Sequence, residues 1–204
     1  KKTFTAEKAA AEKAVILAGA PITNTLGMKL TLIPAGTFMM GSPEDETYRD
    51  DDEQQHKVTI SKAFYMQTTE VTQGQWKAVM GTEPWKGQSS VKEGANYPAV
   101  YVSWNDAVAY CKKLSEKEGK TYRLPTEAQW EYACRAGSSG LWHFGDNVSD
   151  LPIYGGTADN SDNKTHPVGQ KKENNWGLFD MHGNLWEWCS DYFSEDYYCY
   201  LESL

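Results

Sequence analysis

The chain has 204 residues, of which 40% are hydrophobic and 24% are charged, as is typical of a globular domain and not of a disordered chain. The formal net charge is −8 and the sequence contains no basic stripe, so we expect no nucleic-acid partner.

The first 24 residues predict a helix or spacer ahead of the main domain. Residues 5–18 are rich in Ala, Lys and Glu, with Thr5 placed as an N-cap and Gly19 as a stop. The apolar run from Ala14 to Ala20 is far too short to cross a bilayer. We therefore expect no membrane span, which is compatible with a lipid anchor, and we interpret residues 25–204 as the domain.

Four short strands are predicted in the first third of the domain. The stretch from Lys29 to Ser42 predicts two strands around a Pro-Ala-Gly turn. The acidic run from Glu44 to Glu53 follows, and we interpret it as a solvated loop. His56 to Ile60 alternates as a strand should, and Phe64 to Thr69 predicts another.

Three helices are predicted from their capping boxes, in which an N-cap hydroxyl is followed three residues later by an acidic or amide side chain. The boxes and the glycines that end the helices are Thr72 with Gln75 and Gly81, Ser103 with Asp106 and Gly119, and Thr126 with Gln129 and Gly137. In the second helix an apolar face includes Tyr110, Cys111 and Leu114, so we interpret Cys111 as a core residue.

Regular periodicity disappears between Ser138 and Asn175, where Gly, Asp, Asn and Ser are frequent. A stretch this long without periodicity is usually functional, or is held by ions and specific side-chain bonds. We expect ordered loop structure here.

Four residues around a Gly-Asn turn are candidate metal ligands. Carboxylates of Asp180 and Glu187, with backbone carbonyls of Gly183 and Leu185, could form the all-oxygen cage that Ca²⁺ prefers. In the alternative interpretation, the two carboxylates cap nearby backbone amides. The spacing alone leaves both open.

Other polar and aromatic candidates are interpreted structurally. Glu127 is expected at the first helical position, where it favours the helix dipole, and Arg123 is expected to pair with a buried acid. The tryptophans Trp130, Trp186 and Trp188 are interpreted as core anchors.

The histidines and cysteines give no catalytic pattern. His56, His143, His166 and His182 are scattered, without the spacing of a metal motif, and no two of the four cysteines have CxxC spacing. Cys189 and Cys199 are interpreted as disulfide-bonded or buried thiols, so we assign no catalytic residue.

Several phrases in order resemble the formylglycine-generating-enzyme, or sulfatase-modifying-factor, family. The longest are Arg123-Leu-Pro-Thr-Glu-Ala-Gln-Trp-Glu-Tyr132 and Gly177-Leu-Phe-Asp-Met-His-Gly-Asn-Leu-Trp-Glu-Trp-Cys189, and Thr69-Glu-Val-Thr72 is a shorter landmark. The resemblance implies an α+β, C-type-lectin-like fold of the formylglycine-generating type, with small antiparallel sheets, two or three helices and extensive ordered loops. It also favours calcium at Asp180, Gly183, Leu185 and Glu187.

The resemblance also shapes the functional hypotheses, because the family's catalytic C-x4-C pair follows a Gly-Gly-Ser-Trp/Phe strand that these 204 residues do not contain. We expect a domain that lacks its C-terminal strands and acts as a non-catalytic display module for a protein or small-molecule ligand, similar to retroelement-diversified variable proteins. Tyr197, Tyr198 and Tyr200 are the candidate binding residues. An exported or cell-surface location is expected.

Two alternatives stay open. The first is a copper-dependent oxidase that converts cysteine to formylglycine in sulfatase-type clients, if a C-terminal segment is missing from the sequence. The second is an accessory domain for protein–protein contact within an exported assembly, which the residues do not separate from the display module.

Overall fold

Five short strands and three main helices are present in the structure, a computed structural model that describes residues 21–47, 49–50, 52–88 and 91–192. The helix predicted over residues 5–18 lies outside the described residues. The strands are β1 (Ile22–Thr23), β2 (Lys29–Ile33), β3 (Gly36–Met40), β4 (His56–Ile60) and β5 (Phe64–Gln67).

The strands form two antiparallel sheets, one with the order β1-β2-β5 and one that pairs β3 with β4. In the first sheet Leu30 lies opposite Gln67, and in the second Phe38 lies opposite Val58. The predicted Pro-Ala-Gly turn links β2 to β3, but these strands belong to different sheets. Two-residue hairpin turns need a positive φ, which the ring of Pro34 does not allow, so the chain changes sheets there.

The three predicted helices are confirmed as α1 (Gln73–Met80), α2 (Trp104–Glu118) and α3 (Glu127–Arg135), each with its complete capping box. Gly81 and Gly119 end α1 and α2 in the left-handed conformation. Helix α3 ends one residue earlier than predicted, because the buried Ala136 takes the left-handed position ahead of Gly137.

The stretch between α3 and residue 175 contains a 3₁₀ turn (Val148–Asp150) and two single-turn helices, α4 (Leu151–Tyr154) and α5 (Ala158–Ser161). As predicted, specific side-chain bonds hold the loops around it. The buried Asn174 donates from Nδ2 to the carbonyls of Ala133 and Cys134, and its Oδ1 accepts from the amides of Trp176 and Leu178. These bonds fix the chain that leads into the Gly-Asn turn against α3.

Two apolar clusters form the core. One joins the β3–β4 sheet and α3 to the chain around Trp176 and Leu178. The other packs β2 against α1 and α2 through Trp76, Tyr110 and Leu114, with the partly buried Cys111 beside it, which confirms the predicted face of α2. This is the α+β architecture, with small antiparallel sheets and extensive ordered loops, that the family resemblance implies. No helix in the described part of the chain is long and apolar enough to cross a membrane.

Candidate functional site

The segment from Glu187 to Tyr192 crosses the N-terminal ends of α2 and α3, and two indole groups fasten it to α2. Trp104 Nε1 donates to the carbonyl of Cys189 at 2.8 Å, and Trp188 Nε1 donates to the carbonyl of Val102 at 2.9 Å. The backbone of this segment is therefore held beside the start of α2.

The same segment is also fastened to α3. The amide of Ser190 donates to the carbonyl of Pro125 at 2.8 Å, and Asp191 Oδ1 accepts from the amide of Glu127 at 2.8 Å. Glu127 is the first residue of α3, as predicted, and its free helix amide is satisfied by the Asp191 carboxylate. Burial, the negative charge of Asp191 and two further acidic residues raise the pKa of Glu127.

The Gly-Asn turn that precedes this segment is locked by backbone bonds. Asp180 and Asn184 have positive φ values of 61° and 67°, a conformation that Asp and Asn tolerate better than most residues. The Gly183 amide donates to the Asp180 carbonyl, and the Asn184 amide donates to the carbonyl of Gly156 at 2.9 Å. The Asn184 side chain donates to Glu70 Oε1 at 2.9 Å, which connects the turn to the chain just after β5.

Two of the four predicted calcium ligands are carboxylates that already accept hydrogen bonds. Asp180 is buried, and its Oδ2 accepts from the amide of Gly169 at 2.6 Å. Glu187 Oε2 accepts from the indole Nε1 of Trp130 at 3.1 Å. Asp180 therefore caps a backbone amide, as in the alternative interpretation, whereas Glu187 accepts its hydrogen bond from an indole.

The other two predicted ligands, Gly183 and Leu185, lie in the same turn, where the carbonyl of Gly183 accepts from the amide of Leu185 at 2.9 Å. Within the described ranges, no three His, Cys, Asp or Glu side chains are placed to hold a metal ion. The predicted cage uses only two carboxylates together with two carbonyls, so calcium binding at these four residues stays a prediction.

A third carboxyl group, which the sequence did not identify, lies beside this turn. Glu70 is only 8% exposed, and its Oε2 is buried with no hydrogen-bond partner. Burial, with the negative charges of Asp180 and Glu187, raises the pKa of Glu70 to about 9. An unsatisfied buried carboxyl next to two others is the setting that a cation would stabilise. In the sequence Glu70 lies within the phrase Thr69-Glu-Val-Thr72, but nothing in that phrase indicates its contact with the turn.

Glu187 is an exposed residue that lines a groove, although many atoms surround its carboxyl group. The surrounding atoms and the charge of Asp180 raise the pKa of Glu187 to about 6, against the opposing effect of the hydrogen bond from Trp130. The carboxyl groups of Glu70 and Glu187 thus line one end of this groove, and the charge of Asp180 acts on both of them.

The groove has a volume of about 620 Å³ and runs along β5. We call it the β5 groove. Its lining includes the whole of β5, the core residues Leu30, Trp76, Tyr110 and Leu114, the carboxyl-bearing Glu70 and Glu187, and the tryptophans Trp186 and Trp188.

The prediction that Trp186 and Trp188 are core anchors is wrong. Trp186 is 99% exposed and Trp188 is 50% exposed, whereas Trp130 is half-buried against the core as predicted. The carboxylate of Glu187, which lies between them in the chain, accepts a hydrogen bond from Trp130, while the two flanking indoles face solvent. Tyr192, which stacks on Trp104 with 6.1 Å between ring centroids, is 87% exposed. We call Trp186, Trp188 and Tyr192 the exposed aromatic set.

Arg123 does not pair with a buried acid, so that prediction is also wrong. The side chain is exposed, and its Nη1 donates to the carbonyl of Leu124 and to Gln129 Oε1. The ion pair in this region belongs instead to Arg135 and Glu131, at 2.7 Å, and Glu131 also accepts from the amide of Gly41. Arg123 sits ahead of the helix, where it reaches the capping box and not the interior.

The three described cysteines, Cys111, Cys134 and Cys189, are free thiols. Burial raises the pKa of each, to about 11 for Cys111 and about 12 for the other two. Cysteine nucleophiles and metal ligands act as thiolates, so these three are suited to packing and not to chemistry at neutral pH. Cys199 lies outside the described residues, as do the predicted binding residues Tyr197, Tyr198 and Tyr200.

Two histidines that are scattered in the sequence meet in the structure. His143 Nδ1 and His182 Nε2 are 2.7 Å apart, and the rings stack with centroids 4.8 Å apart. Cys134 Sγ lies 3.9 Å from His182 Nδ1. Burial is the main cause that lowers the pKa of both histidines to about 4, so both are neutral at pH 7. No local spacing could have predicted this pair, since 39 residues separate its members.

Comparison with known proteins identifies relatives of different kinds. Residues 20–203 match the sulfatase-modifying factor enzyme 1-like domain. The formylglycine-generating enzyme of Streptomyces coelicolor is 38% identical over 138 residues, which is 60% of this chain and 42% of that protein. The chaperone protein LppX of Paenibacillus barcinonensis is 31% identical over 84% of this chain and 74% of its own length.

Two solved structures show the same fold. PvdO from Pseudomonas aeruginosa has a TM-score of 0.79 and 32% identity, covering 89% of this chain and 78% of that one. Treponema denticola variable protein 1 has a TM-score of 0.74 and 30% identity, covering 86% of this chain and 78% of that one. The relatives therefore include an enzyme, a chaperone and a variable protein on one architecture, and the fold alone does not select among these activities.

Proposed function

Because the chain belongs to the family of sulfatase-modifying factor enzyme 1-like domains, we propose that it is a non-catalytic member that binds a protein or small-molecule ligand. The observation that carries this proposal is the exposed aromatic set. Trp186, which directly precedes the segment from Glu187 to Tyr192, is 99% exposed, and Tyr192, at the end of that segment, is 87% exposed. The segment itself is held by hydrogen bonds to α2 and α3. Exposed Trp and Tyr side chains on a rigid backbone are typical of binding hot spots.

Two further observations support binding over catalysis. The thiols of Cys111, Cys134 and Cys189 are protonated at neutral pH because burial raises the pKa of each. The relatives include a chaperone and a variable protein. An exported or cell-surface location suits such a module.

The binding proposal is tested with a phage-displayed peptide library selected on the immobilised protein. Trp186→Ala should weaken binding of the selected peptides at least tenfold, because a central indole commonly contributes about 2 kcal/mol to an interface. Its melting temperature should stay unchanged, since the side chain contacts solvent. Binding is measured by biolayer interferometry and stability by circular dichroism.

The matched control is Val148→Ala, which shortens another exposed apolar side chain, 62% exposed, on the 3₁₀ turn outside the β5 groove. This variant should bind like the wild type. Failure to select any binder, or equal affinity of Trp186→Ala and wild type, would contradict the proposal.

The alternative is a copper-dependent oxidase that converts a client cysteine to formylglycine, and the 38% identity to the Streptomyces enzyme favours it. The chain spans 42% of that enzyme's length, so the activity of the whole relative is a proposal for this protein. The test is mass spectrometry of a cysteine-containing sulfatase peptide incubated with the protein, copper and oxygen. Formation of the aldehyde would replace the binding proposal by the enzymatic one.

We propose in addition that Ca²⁺ binds Asp180, Gly183, Leu185 and Glu187. The clustered carboxyls of Asp180, Glu187 and Glu70 support it, because a divalent cation would offset their mutual repulsion. Saturating Ca²⁺ should raise the melting temperature by about 5 °C or more relative to EDTA, as expected for a ligand at about 100 times its Kd.

The matched variants for this calcium prediction are Glu187→Ala and Glu127→Ala, measured by calorimetry with and without EDTA. Glu187→Ala should lower stability and abolish the response to Ca²⁺. Glu127→Ala should keep the response, because Glu127 lies at the start of α3 and outside the predicted cage. An EDTA-insensitive wild type would rule the calcium site out.

A further inference from the structure

A second concavity, separate from the β5 groove, borders the Gly-Asn turn. Its volume is about 390 Å³, within the range of small-molecule pockets, and none of its described lining residues also lines the β5 groove. Its walls come from residues 91–101, from residues 156–165 and from Asn184, all within a stretch whose backbone the structure describes without a gap. We call it the Tyr101 cavity, and its lining includes Val91, Val100, Tyr101, Lys164, Thr165 and Asn184.

The Asn184 side chain fixes the wall that residues 156–165 form. Its Oδ1 accepts from the amide of His166 at 2.9 Å, and its Nδ2 donates to the carbonyl of His166 at 3.3 Å. The Asn184 amide donates to the carbonyl of Gly156, and His166 Nε2 lies 3.1 Å from the carbonyl oxygen of Ser161. The cavity is therefore formed before any ligand arrives, which lowers the free-energy cost of binding.

Backbone strain is concentrated at this cavity. Six non-glycine residues in the described part of the chain have a positive φ, and three of them, Tyr101 at 58°, Asn163 at 54° and Asn184 at 67°, line it. Asn tolerates this conformation, whereas a bulky Tyr rarely adopts it. Tyr101 is 56% exposed, so packing of its ring into the core does not account for the strain. Strained residues that the surrounding structure holds in place cluster at ligand-binding sites.

The polar groups of the cavity favour an anion. Lys164 lines it, and neither of the two ion pairs in the described part of the chain includes this residue. Thr165 Oγ1 is buried at the cavity wall with no hydrogen-bond partner. No Asp or Glu is found among the described lining residues, so a divalent cation would meet no carboxylate there. An ammonium group and an unsatisfied hydroxyl are the donors that a carboxylate needs.

The rest of the wall is apolar. Val91 and Val100 are partly buried against the core and line the cavity together with Tyr101. We propose that the Tyr101 cavity binds a small organic carboxylate, whose charged end contacts Lys164 and Thr165 and whose apolar body lies against the two valines and the tyrosine. This site is additional to the exposed aromatic set and does not rest on the proposed function.

The probe is benzoate, compared with benzamide, which has nearly the same shape and no charge. Each is titrated into isotope-labelled protein in EDTA, and binding is followed by the NMR chemical shifts of the backbone amides. Benzoate should bind with a millimolar Kd and shift the amides of Val100, Lys164 and Asn184. Benzamide should bind about tenfold more weakly, which corresponds to about 1.4 kcal/mol.

Lys164→Met keeps the aliphatic side chain and removes the charge, so this variant should bind benzoate no more tightly than benzamide. Thr165→Val replaces the unsatisfied hydroxyl by a methyl group. It should weaken benzoate binding several-fold without lowering the melting temperature, a combination that a purely structural hydroxyl would not give. Lys120→Met is the matched control, because it removes an exposed charge from the β5 groove, and it should bind benzoate like the wild type.

The proposal is overturned if benzoate shifts no amides at millimolar concentration, if the wild type does not distinguish benzoate from benzamide, or if Lys164→Met keeps the preference. Shifts confined to the β5 groove, with loss of binding in Lys120→Met, would place the carboxylate there and overturn it as well. The peptide-library test of the proposed function depends on Trp186, which does not line the Tyr101 cavity, so either test can fail without the other.

Discussion

Replacing Gly183 with alanine should destabilise the protein by about 3 kcal/mol, the upper range for overpacking a rigid contact. A Cβ at this position would clash with the carbonyl oxygen of Gly156 and lie within 3 Å of two further backbone atoms of that residue. Backbone atoms cannot rotate aside as the end of a side chain can, so one of the two loops must move.

The matched control is Gly156→Ala, on the opposite side of the same contact. Its Cβ would meet nothing closer than the Asn184 nitrogen at 3.6 Å, which is ordinary van der Waals contact. We expect this variant to change stability by less than about 1 kcal/mol. Urea unfolding measures both, and Gly183→Ala should also lower the melting temperature by about 10 °C. Equal stability of the two variants would show that the loops separate freely.

The contact between Gly183 and Gly156 matters for the site because it fixes the Gly-Asn turn, and with it the end of the β5 groove where Glu70 and Glu187 lie. The Asn184 amide donates to Gly156 and its side chain donates to Glu70, so a displaced turn would move the amide group that Glu70 depends on. Calcium binding should therefore weaken in Gly183→Ala, while Trp186, just ahead of the segment held by α2 and α3, stays exposed.

The helices could be predicted from the sequence because their signals are local. In each capping box a side chain bonds to an amide three residues away, and the left-handed glycines that end α1 and α2 each donate to a carbonyl four residues earlier, so a short stretch of sequence contains each whole interaction. The end of α3 shows the limit of this reasoning. Ala136 takes the left-handed conformation there because it is buried against the core, which is a tertiary effect.

The site could be predicted only in part, because its members meet across large sequence separations. The predicted turn residues Asp180 and Glu187 do lie together, but their neighbour Glu70 is bound to the turn through Asn184, 114 residues further along. The large apolar side chains of Trp130, Trp186 and Trp188 favour the core, but size does not reveal which way a side chain faces. Trp130 faces inward from a helix, while Trp186 faces solvent from a loop segment.

The pair of His143 and His182 should make stability depend on pH. Their ring nitrogens are 2.7 Å apart, so one ring donates and the other accepts, and protonating both would place two donors face to face. Burial lowers the pKa of both to about 4, against about 6.5 in an unfolded chain. Between these values the unfolded chain binds more protons than the folded one. The pair therefore contributes fully to the free energy of unfolding above about pH 7, and this contribution is lost as the pH falls towards 4.

Glu70 and Glu187 change stability in the opposite sense, since a carboxyl whose pKa is raised by folding favours the folded state as the pH falls. The histidine contribution must therefore be measured as a difference between wild type and His143→Phe, by urea unfolding at pH 7 and at pH 5. Between pH 7 and pH 5 the free energy of unfolding should fall by about 2 kcal/mol more in the wild type than in the variant. We expect no larger difference, because His182 is only half-buried. Parallel pH profiles for the two proteins would show that His143 titrates in the folded state as it does in the unfolded chain. The short contact between the two rings would then contribute nothing to the pH dependence of stability.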